Sequence, residues 1–154
     1  GLKNDKEINN FISRIKSIIS IAEKKNINIC VESDLPPTAF ANLINLINSK
    51  NATINYDIGN SAALGYDPEE EFNAYGEKIT DLHIKDRLYG KGPVPLGRGN
   101  ADIPKIFKLL SKVNYKGIVI FQAFRDDDGI EIFKEQFEWF IKNIKLWKSH
   151  PQKF

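Results

Sequence analysis

The chain has 154 residues, of which 42% are hydrophobic and 27% charged, enough apolar material for one folded core. No run approaches the roughly 20 apolar residues of a membrane-spanning helix, which argues against a membrane protein. A net charge of +2 is too small to indicate a nucleic-acid-binding surface by itself.

The single cysteine, Cys30, excludes a disulfide framework and predicts a reduced, cytoplasmic chain. The sequence contains no methionine, and residue 1 is Gly. We therefore expect a processed end or a piece of a longer protein. No linker or low-complexity stretch interrupts residues 1–154, so we expect them to form one unit.

Apolar side chains recur every three or four positions over residues 6–25, which predicts an amphipathic helix. Residues 27–32 then alternate apolar and polar side chains and predict the first strand. Pro36 and Pro37 break the chain, and an apolar periodicity over residues 40–47 predicts a second helix.

The second strand is predicted at residues 53–57 and ends before Gly59. Asp67, followed by proline, has the character of a helix N-cap and predicts the start of a third helix. A third strand is predicted at residues 79–85, and residues 90–99 form a Gly/Pro-rich loop.

Asp102 is the predicted cap of a fourth helix, residues 118–124 form the most apolar strand, and residues 130–148 form the last helix. Strands that alternate with helices predict right-handed crossovers and a parallel sheet of the α/β class. The strand ends recur about every 25 residues, which suits a (β/α) barrel; four units are half of one. An open doubly wound sheet is the alternative, but no Gly-rich phosphate turn follows the first strand.

Each predicted strand has one apolar face and one face that ends in a polar side chain. Such groups are costly in a buried parallel sheet unless they are paired or bind something. The terminal polar residues are Glu32, Asp57, His83 and Gln122. This set, mainly oxygen with one nitrogen, favours Mn²⁺ or Mg²⁺ over Zn²⁺ or Co²⁺. The alternative is four ordinary, satisfied polar groups at strand ends.

Four short segments and one aspartate support a family resemblance. They are Val-Glu-Ser at 31–33, Tyr-Asp-Ile-Gly-Asn at 56–60, Leu-His-Ile-Lys-Asp at 82–86, Pro-Leu-Gly-Arg-Gly at 95–99, and Asp102. In order and spacing they resemble the second half of the xylose isomerase-like TIM barrels. That superfamily includes sugar and sugar-phosphate isomerases and epimerases, inosose dehydratases and endonuclease IV proteins.

The resemblance implies one divalent metal held by Glu32, Asp57 and His83, with a fourth ligand at Gln122, where the family has a second glutamate. An amide can offer its carbonyl oxygen to a metal but cannot accept a proton. A symmetric two-carboxylate epimerisation is therefore disfavoured. Three hypotheses remain. The first is an isomerase or epimerase in which Glu32, as the single base, removes a proton next to a metal-bound carbonyl or hydroxyl. The others are an inosose dehydratase-like lyase and a non-catalytic sugar-binding relative.

Other residues are expected to contact the substrate or the base. Lys85 is on the same face as the metal ligands and is expected to neutralise an oxyanion or to pair with Glu32. Asn60 stands where the family often has a histidine, and Arg98 and Arg125 follow strand ends. We expect these three to bind a small sugar or sugar phosphate.

A half barrel has two open sheet edges, so we expect a missing amino-terminal half or a second copy of the chain to cover them. The isolated piece is expected to be inactive. DNA repair is disfavoured, because endonuclease IV proteins need several histidines and this chain has only His83 and His150.

Overall fold

The computed structural model describes residue 2 and residues 4–148; His150 lies outside this part. The helices are α1 (Asp5–Lys25), α2 (Pro37–Ile47), α3 (Ile58–Leu64), α4 (Pro68–Tyr75), α5 (Ile103–Lys112) and α6 (Ile130–Lys148). The strands are β1 (Ile29–Val31), β2 (Ala52–Asp57), β3 (Ile79–Ile84), β4 (Asp86–Arg87), β5 (Pro93–Val94) and β6 (Ile118–Phe121). A short 3-10 turn, Gly76–Lys78, precedes β3.

Four strands form one parallel sheet in the order β1-β2-β3-β6, while β4 and β5 pair separately as an antiparallel hairpin. In the main sheet Val31 is opposite Ile54, Asp57 is opposite His83, and His83 is opposite Ile120. The predicted α/β class and four-unit half barrel are confirmed. Among the described residues, no helix combines the length and apolar character that a bilayer crossing requires.

The first strand is shorter than predicted because α1 ends in a tight cap. Asn26 adopts the left-handed conformation, with φ 53°, and the N–H of Ile27 donates to the carbonyl of Ala22. This closure of the helix uses residues that the alternating pattern placed in the strand. The strand therefore begins at Ile29 instead of residue 27.

The core lies between the sheet and the helices that cover its outer face. Ile54, Leu82 and Ile84 are fully buried in the central strands. Phe40 from α2 and Ile106 from α5 are buried in the same cluster. These contacts fix the outer face of each strand, so the alternate residues point to the inner face, where the polar side chains are.

The last strand differs most from its prediction. It ends at Phe121 instead of residue 124, and Ile118, Val119 and Ile120 are 66%, 47% and 42% exposed. Among the described residues β6 is an edge strand, with β3 on one side only, which agrees with the open sheet edges expected of a half barrel. Phe121 packs edge-on against Phe133 of α6, with ring centroids 5.3 Å apart.

The sequence pattern missed helix α3, which follows β2 without a loop. The Asp57 carboxylate accepts a hydrogen bond from the backbone N–H of Asn60 over 2.7 Å and caps this helix. Gly59, taken as the end of the strand, lies inside α3. A Cβ there would approach Cγ of Lys85 to 2.7 Å, so glycine lets the helix pack against β3.

A buried aspartate organises the Gly/Pro-rich loop. Asp86 is 1% exposed, and its carboxylate accepts backbone N–H groups from Arg87, Gly97, Gly99 and Ala101 at 2.9 to 3.1 Å. A Cβ on Gly99 would overlap this carboxylate. The loop is therefore tied to the residue that follows β3, and it stands at the carboxyl end of the sheet.

Candidate metal centre

Three of the predicted ligands meet at the carboxyl edge of the sheet. Glu32 follows β1, Asp57 ends β2, and His83 is in β3. One possible ligand atom from each residue lies within 4.8 Å of the others. Glu32 is exposed, whereas the side chains of Asp57 and His83 are 2% and 18% exposed. The cluster is thus open to solvent on the glutamate side.

The two oxygens of Asp57 have separate tasks. Oδ1 caps α3, as described above, and Oδ2 faces the cluster. Oδ2 lies 3.5 Å from Nζ of Lys85 and 3.8 Å from Nδ1 of His83. The structure therefore pairs Lys85 with Asp57, and not with Glu32, because Gly59 lets the lysine stem lie directly against α3.

Both oxygens of Glu32 accept hydrogen bonds from amide groups. Oε1 accepts from Nδ2 of Asn60 at 2.7 Å, and Oε2 accepts from Nδ2 of Asn55 at 2.8 Å. The Oδ1 atom of Asn60 in turn accepts from Nη1 of Arg87 at 2.7 Å, while Nε and Nη2 of Arg87 donate to the carbonyl of Lys91. This chain of contacts holds Glu32 in one position, and it gives Asn60 and Arg87 roles that sequence patterns did not predict.

Asn55 lies between two members of the cluster. Besides donating to Glu32, its Nδ2 atom lies 3.3 Å from each ring nitrogen of His83. The residue is 8% exposed, and its Oδ1 atom is buried with no hydrogen-bond partner among the described residues. Side chains alternate along β2, so Asn55 is on the same face as Asp57, two residues before it.

Gln122 is one residue beyond β6, and its backbone N–H donates to the carbonyl of Ile84 over 3.0 Å. Because Ile120 is opposite His83 and strand side chains alternate, Gln122 is on the same face of the sheet, one step nearer the carboxyl edge. Its side chain is exposed, as are those of Arg98 and Arg125, which are in loops.

A cavity of about 640 Å³ adjoins the cluster. Its polar lining residues include Glu32, Asn60 and Arg87. Its apolar lining residues include Phe11 of α1 and Leu43 of α2. Neither Arg98 nor Arg125 is among its lining residues. The one glutamate of the cluster is therefore also the group that faces the cavity.

A buried glutamate of the neighbouring helix α4 contacts α3 and helps to hold it in place. Glu71 of α4 is 2% exposed and accepts hydrogen bonds from the hydroxyls of Tyr56, Ser61 and Tyr75. Burial raises the pKa of Glu71, and burial together with the nearby Glu71 carboxylate raises the pKa values of Tyr56 and Tyr75. Ser61 belongs to α3, so this cluster fixes the helix that Asp57 caps.

The donor set of the cluster fits a divalent cation. Two carboxylates and an imidazole are ordinary ligands for Mg²⁺, Mn²⁺ or Zn²⁺. The amide of Asn55 lies against Glu32 and His83, and its buried Oδ1, which has no partner among the described residues, is a further neutral oxygen donor. An ion would also relieve the proximity of two carboxylates, since Lys85 is the only lysine or arginine that the described residues place in an ion pair with Asp57 or Glu32.

A family profile and the curated relatives place the chain in the same family. Residues 1–143 match the sequence profile of the xylose isomerase-like TIM barrel family. A Haemophilus influenzae protein, provisionally named L-ribulose-5-phosphate 3-epimerase SgbU, is 29% identical over 161 residues, covering 93% of this chain and 55% of that protein. The chain thus spans about half the length of the curated relatives it matches.

Solved structures share the fold at low sequence identity. A xylose isomerase domain protein from Planctomyces limnophilus superposes with a TM-score of 0.81 at 16% identity, covering 96% of this chain and 57% of its own. The IOLI protein, solved with a zinc atom, gives 0.72 at 20% identity, with coverages of 98% and 60%. D-allulose 3-epimerase from Methylomonas sp., solved with D-allulose, gives 0.66 at 22% identity, with coverages of 82% and 45%.

Proposed function

Because the chain belongs to the xylose isomerase-like TIM barrel family, we propose that it supplies the metal-binding half of a barrel that isomerises or epimerises small sugars. The observation that carries the proposal is the meeting of Glu32, Asp57 and His83 at one edge of the sheet, with ligand atoms within 4.8 Å of one another. These residues would hold the ion, and Gln122 would be a fourth ligand through its amide oxygen. Mn²⁺ suits the mixed oxygen and nitrogen donors best, ahead of Mg²⁺, Zn²⁺ and Co²⁺.

A bound divalent cation would supply Lewis-acid chemistry, which stabilises negative charge that develops on a substrate oxygen. Glu32 would be the base that removes the proton from the neighbouring carbon. It is exposed toward the cavity, and Asn60 holds its Oε1 atom in place. Fixed orientation of this kind raises the efficiency of a general base.

Lys85 is proposed as the electrostatic partner of the site. Its ammonium group is 3.5 Å from Oδ2 of Asp57, and its side chain is 18% exposed. It would partly balance the negative charge of the Asp57 carboxylate. It would also attract a substrate oxyanion that approaches from the cavity.

Gln122 limits the reaction to one protein base. A symmetric epimerisation needs a second proton-accepting group on the other side of the substrate, and an amide does not provide it. The same substitution favours a second candidate, a sugar-binding relative without catalysis. An inosose dehydratase-like lyase, in which Glu32 alone removes the proton, is also consistent with one base.

The proposed substrate is a small sugar or sugar phosphate. The resemblance to the ribulose-phosphate relative supports this class, and Asn60, Arg98 and Arg125 are the proposed contacts. The exposed strand β6 would be covered by an amino-terminal half barrel or by a second copy of the chain. We place the protein in the cytoplasm, where a free thiol such as Cys30 stays reduced.

The test combines metal binding with proton exchange. The chain and its Gln122→Glu variant are first titrated with Mn²⁺. Each version, with Gln or with Glu at position 122, is then produced as part of a full-length barrel and incubated with L-ribulose 5-phosphate or D-allulose in D₂O. We expect Mn²⁺ binding in both and faster deuterium uptake by the sugar with Gln122→Glu. Mn²⁺ binding without deuterium uptake in either state would favour the binding relative. No Mn²⁺ binding would refute the metal-dependent proposal.

A further inference from the structure

Asn55 makes contacts that are unusual for a buried strand residue. One terminal atom of its amide, Nδ2, is 2.8 Å from Oε2 of Glu32 and 3.3 Å from both ring nitrogens of His83. It therefore touches two of the three residues that form the candidate metal centre. The other terminal atom, Oδ1, has no partner among the described residues although it is buried.

These separations match those between neighbouring ligands of one ion. Two atoms that each lie about 2.1 Å from a cation, at about a right angle, are about 3 Å apart. The Nδ2 position of Asn55 is at this spacing from both Glu32 and His83. An oxygen in that position would complete a compact group of donors around a single ion.

The amide can place an oxygen there without moving the backbone. Oδ1 and Nδ2 occupy nearly equivalent positions, so a half turn of the amide exchanges them. With no cation, the N–H donor toward the Glu32 carboxylate is favoured. With a cation between Glu32 and His83, an oxygen is favoured and an N–H is repelled.

We propose that Asn55 is a further metal ligand, whose amide turns over when the cation binds and presents Oδ1 to it beside Glu32, Asp57 and His83. The inference rests on the proposed metal site. After the turn, Nδ2 occupies the place of the unpartnered Oδ1. Asn55 would be a neutral ligand, so it adds coordination without adding a third carboxylate charge.

A crystal structure of the wild-type chain soaked with Mn²⁺ tests the inference directly, because anomalous scattering locates the ion. We expect a terminal amide atom of Asn55 within about 2.3 Å of the ion. An ion on Glu32, Asp57 and His83 with Asn55 more than 3 Å away would overturn this inference and leave the proposed metal site intact. Failure of Mn²⁺ to bind at those three residues would overturn both.

Variants give a second measurement that does not need activity. Asn55→Ala should weaken Mn²⁺ binding about 10-fold to 100-fold, and Asn55→Asp, which keeps an oxygen but loses the N–H, should bind at least as tightly as wild type. Circular dichroism checks that each variant is folded. Unchanged affinity in Asn55→Ala would contradict the inference, as would Asn55→Asp binding as weakly as Asn55→Ala.

Discussion

Asn60 donates a hydrogen bond from Nδ2 to Oε1 of Glu32 over 2.7 Å. Its own Oδ1 accepts from Arg87, so the orientation of the amide is fixed from the opposite side. The residue that sequence reasoning placed against the substrate is therefore also a support for the proposed base. The arrangement is typical of metal sites, in which outer hydrogen bonds orient the ligands.

Replacing Asn60 by Ala should weaken Mn²⁺ binding about 10-fold to 100-fold, because Glu32 loses the contact that holds one of its oxygens. Isothermal titration calorimetry measures the affinity. Asn73→Ala, at an exposed position of α4, is the matched control and should bind as wild type does. Equal affinity in the two variants would show that the Asn60 contact does not orient the ligand.

Replacing Asp86 by Asn should lower the free energy of unfolding by about 3 kcal/mol or more, since buried backbone donors lose a charged acceptor. The carboxylate accepts four backbone N–H groups, and an amide cannot satisfy all of them. Urea denaturation gives the value. Asp127→Asn, an exposed carboxylate, should change it by less than about 0.5 kcal/mol. Similar small losses in both variants would contradict the anchoring role.

Gly99 and Gly92 provide a matched pair in the same loop. A Cβ at Gly99 would overlap the Asp86 carboxylate and the carbonyl of Arg87, whereas a Cβ at Gly92 has nothing within 4 Å. Gly99→Ala should therefore cost about 1 to 3 kcal/mol of unfolding free energy. Gly92→Ala should be within about 0.5 kcal/mol of wild type. Equal losses of stability in the two variants on thermal unfolding would contradict the close packing at Gly99.

Glu71 should make stability depend on pH. Burial raises its pKa above the ordinary value of 4.5. Such a group contributes stability that is fully present below the unfolded pKa and lost as pH rises through the folded pKa, by at most about 1.4 kcal/mol per pH unit. Glu71→Gln does not titrate there, so the variant should gain stability relative to wild type as the pH rises above about 4.5.

Urea denaturation at several pH values measures that difference. Glu70→Gln, at an exposed neighbouring position on α4, should run parallel to wild type over the same range. A constant gap between wild type and Glu71→Gln would mean that the buried carboxyl titrates equally in the folded and unfolded chain.

The convergence of Glu32, Asp57 and His83 could be predicted from sequence because it depends only on two regular features. Side chains alternate along a strand, and parallel strands end at the same edge of a sheet. The alternation of polar and apolar residues can be seen within each strand separately. The period-two alternation therefore indicated these three residues before any contact was known, whereas Gln122 as a fourth ligand stays a prediction.

The contacts that hold the site could not be predicted in this way. Asn55 and Asn60 donate hydrogen bonds to Glu32, which is 23 and 28 positions earlier in the sequence. Asp86 accepts backbone N–H groups from residues up to 15 positions away. No local pattern encodes such pairings. The end of β6 at Phe121 was missed for a related reason, since an apolar run does not reveal where the pairing of a strand stops.

The central claim is that Glu32, Asp57 and His83 hold one divalent cation, and the melting temperature of the purified chain during a Mn²⁺ titration tests it most directly. The chain should be stabilised progressively, by about 2.7 kcal/mol when free Mn²⁺ is 100 times its dissociation constant. His83→Ala should abolish this stabilisation, and Glu77→Gln, an exposed control, should retain it. No stabilisation of wild type, or the same stabilisation in His83→Ala, would contradict the account.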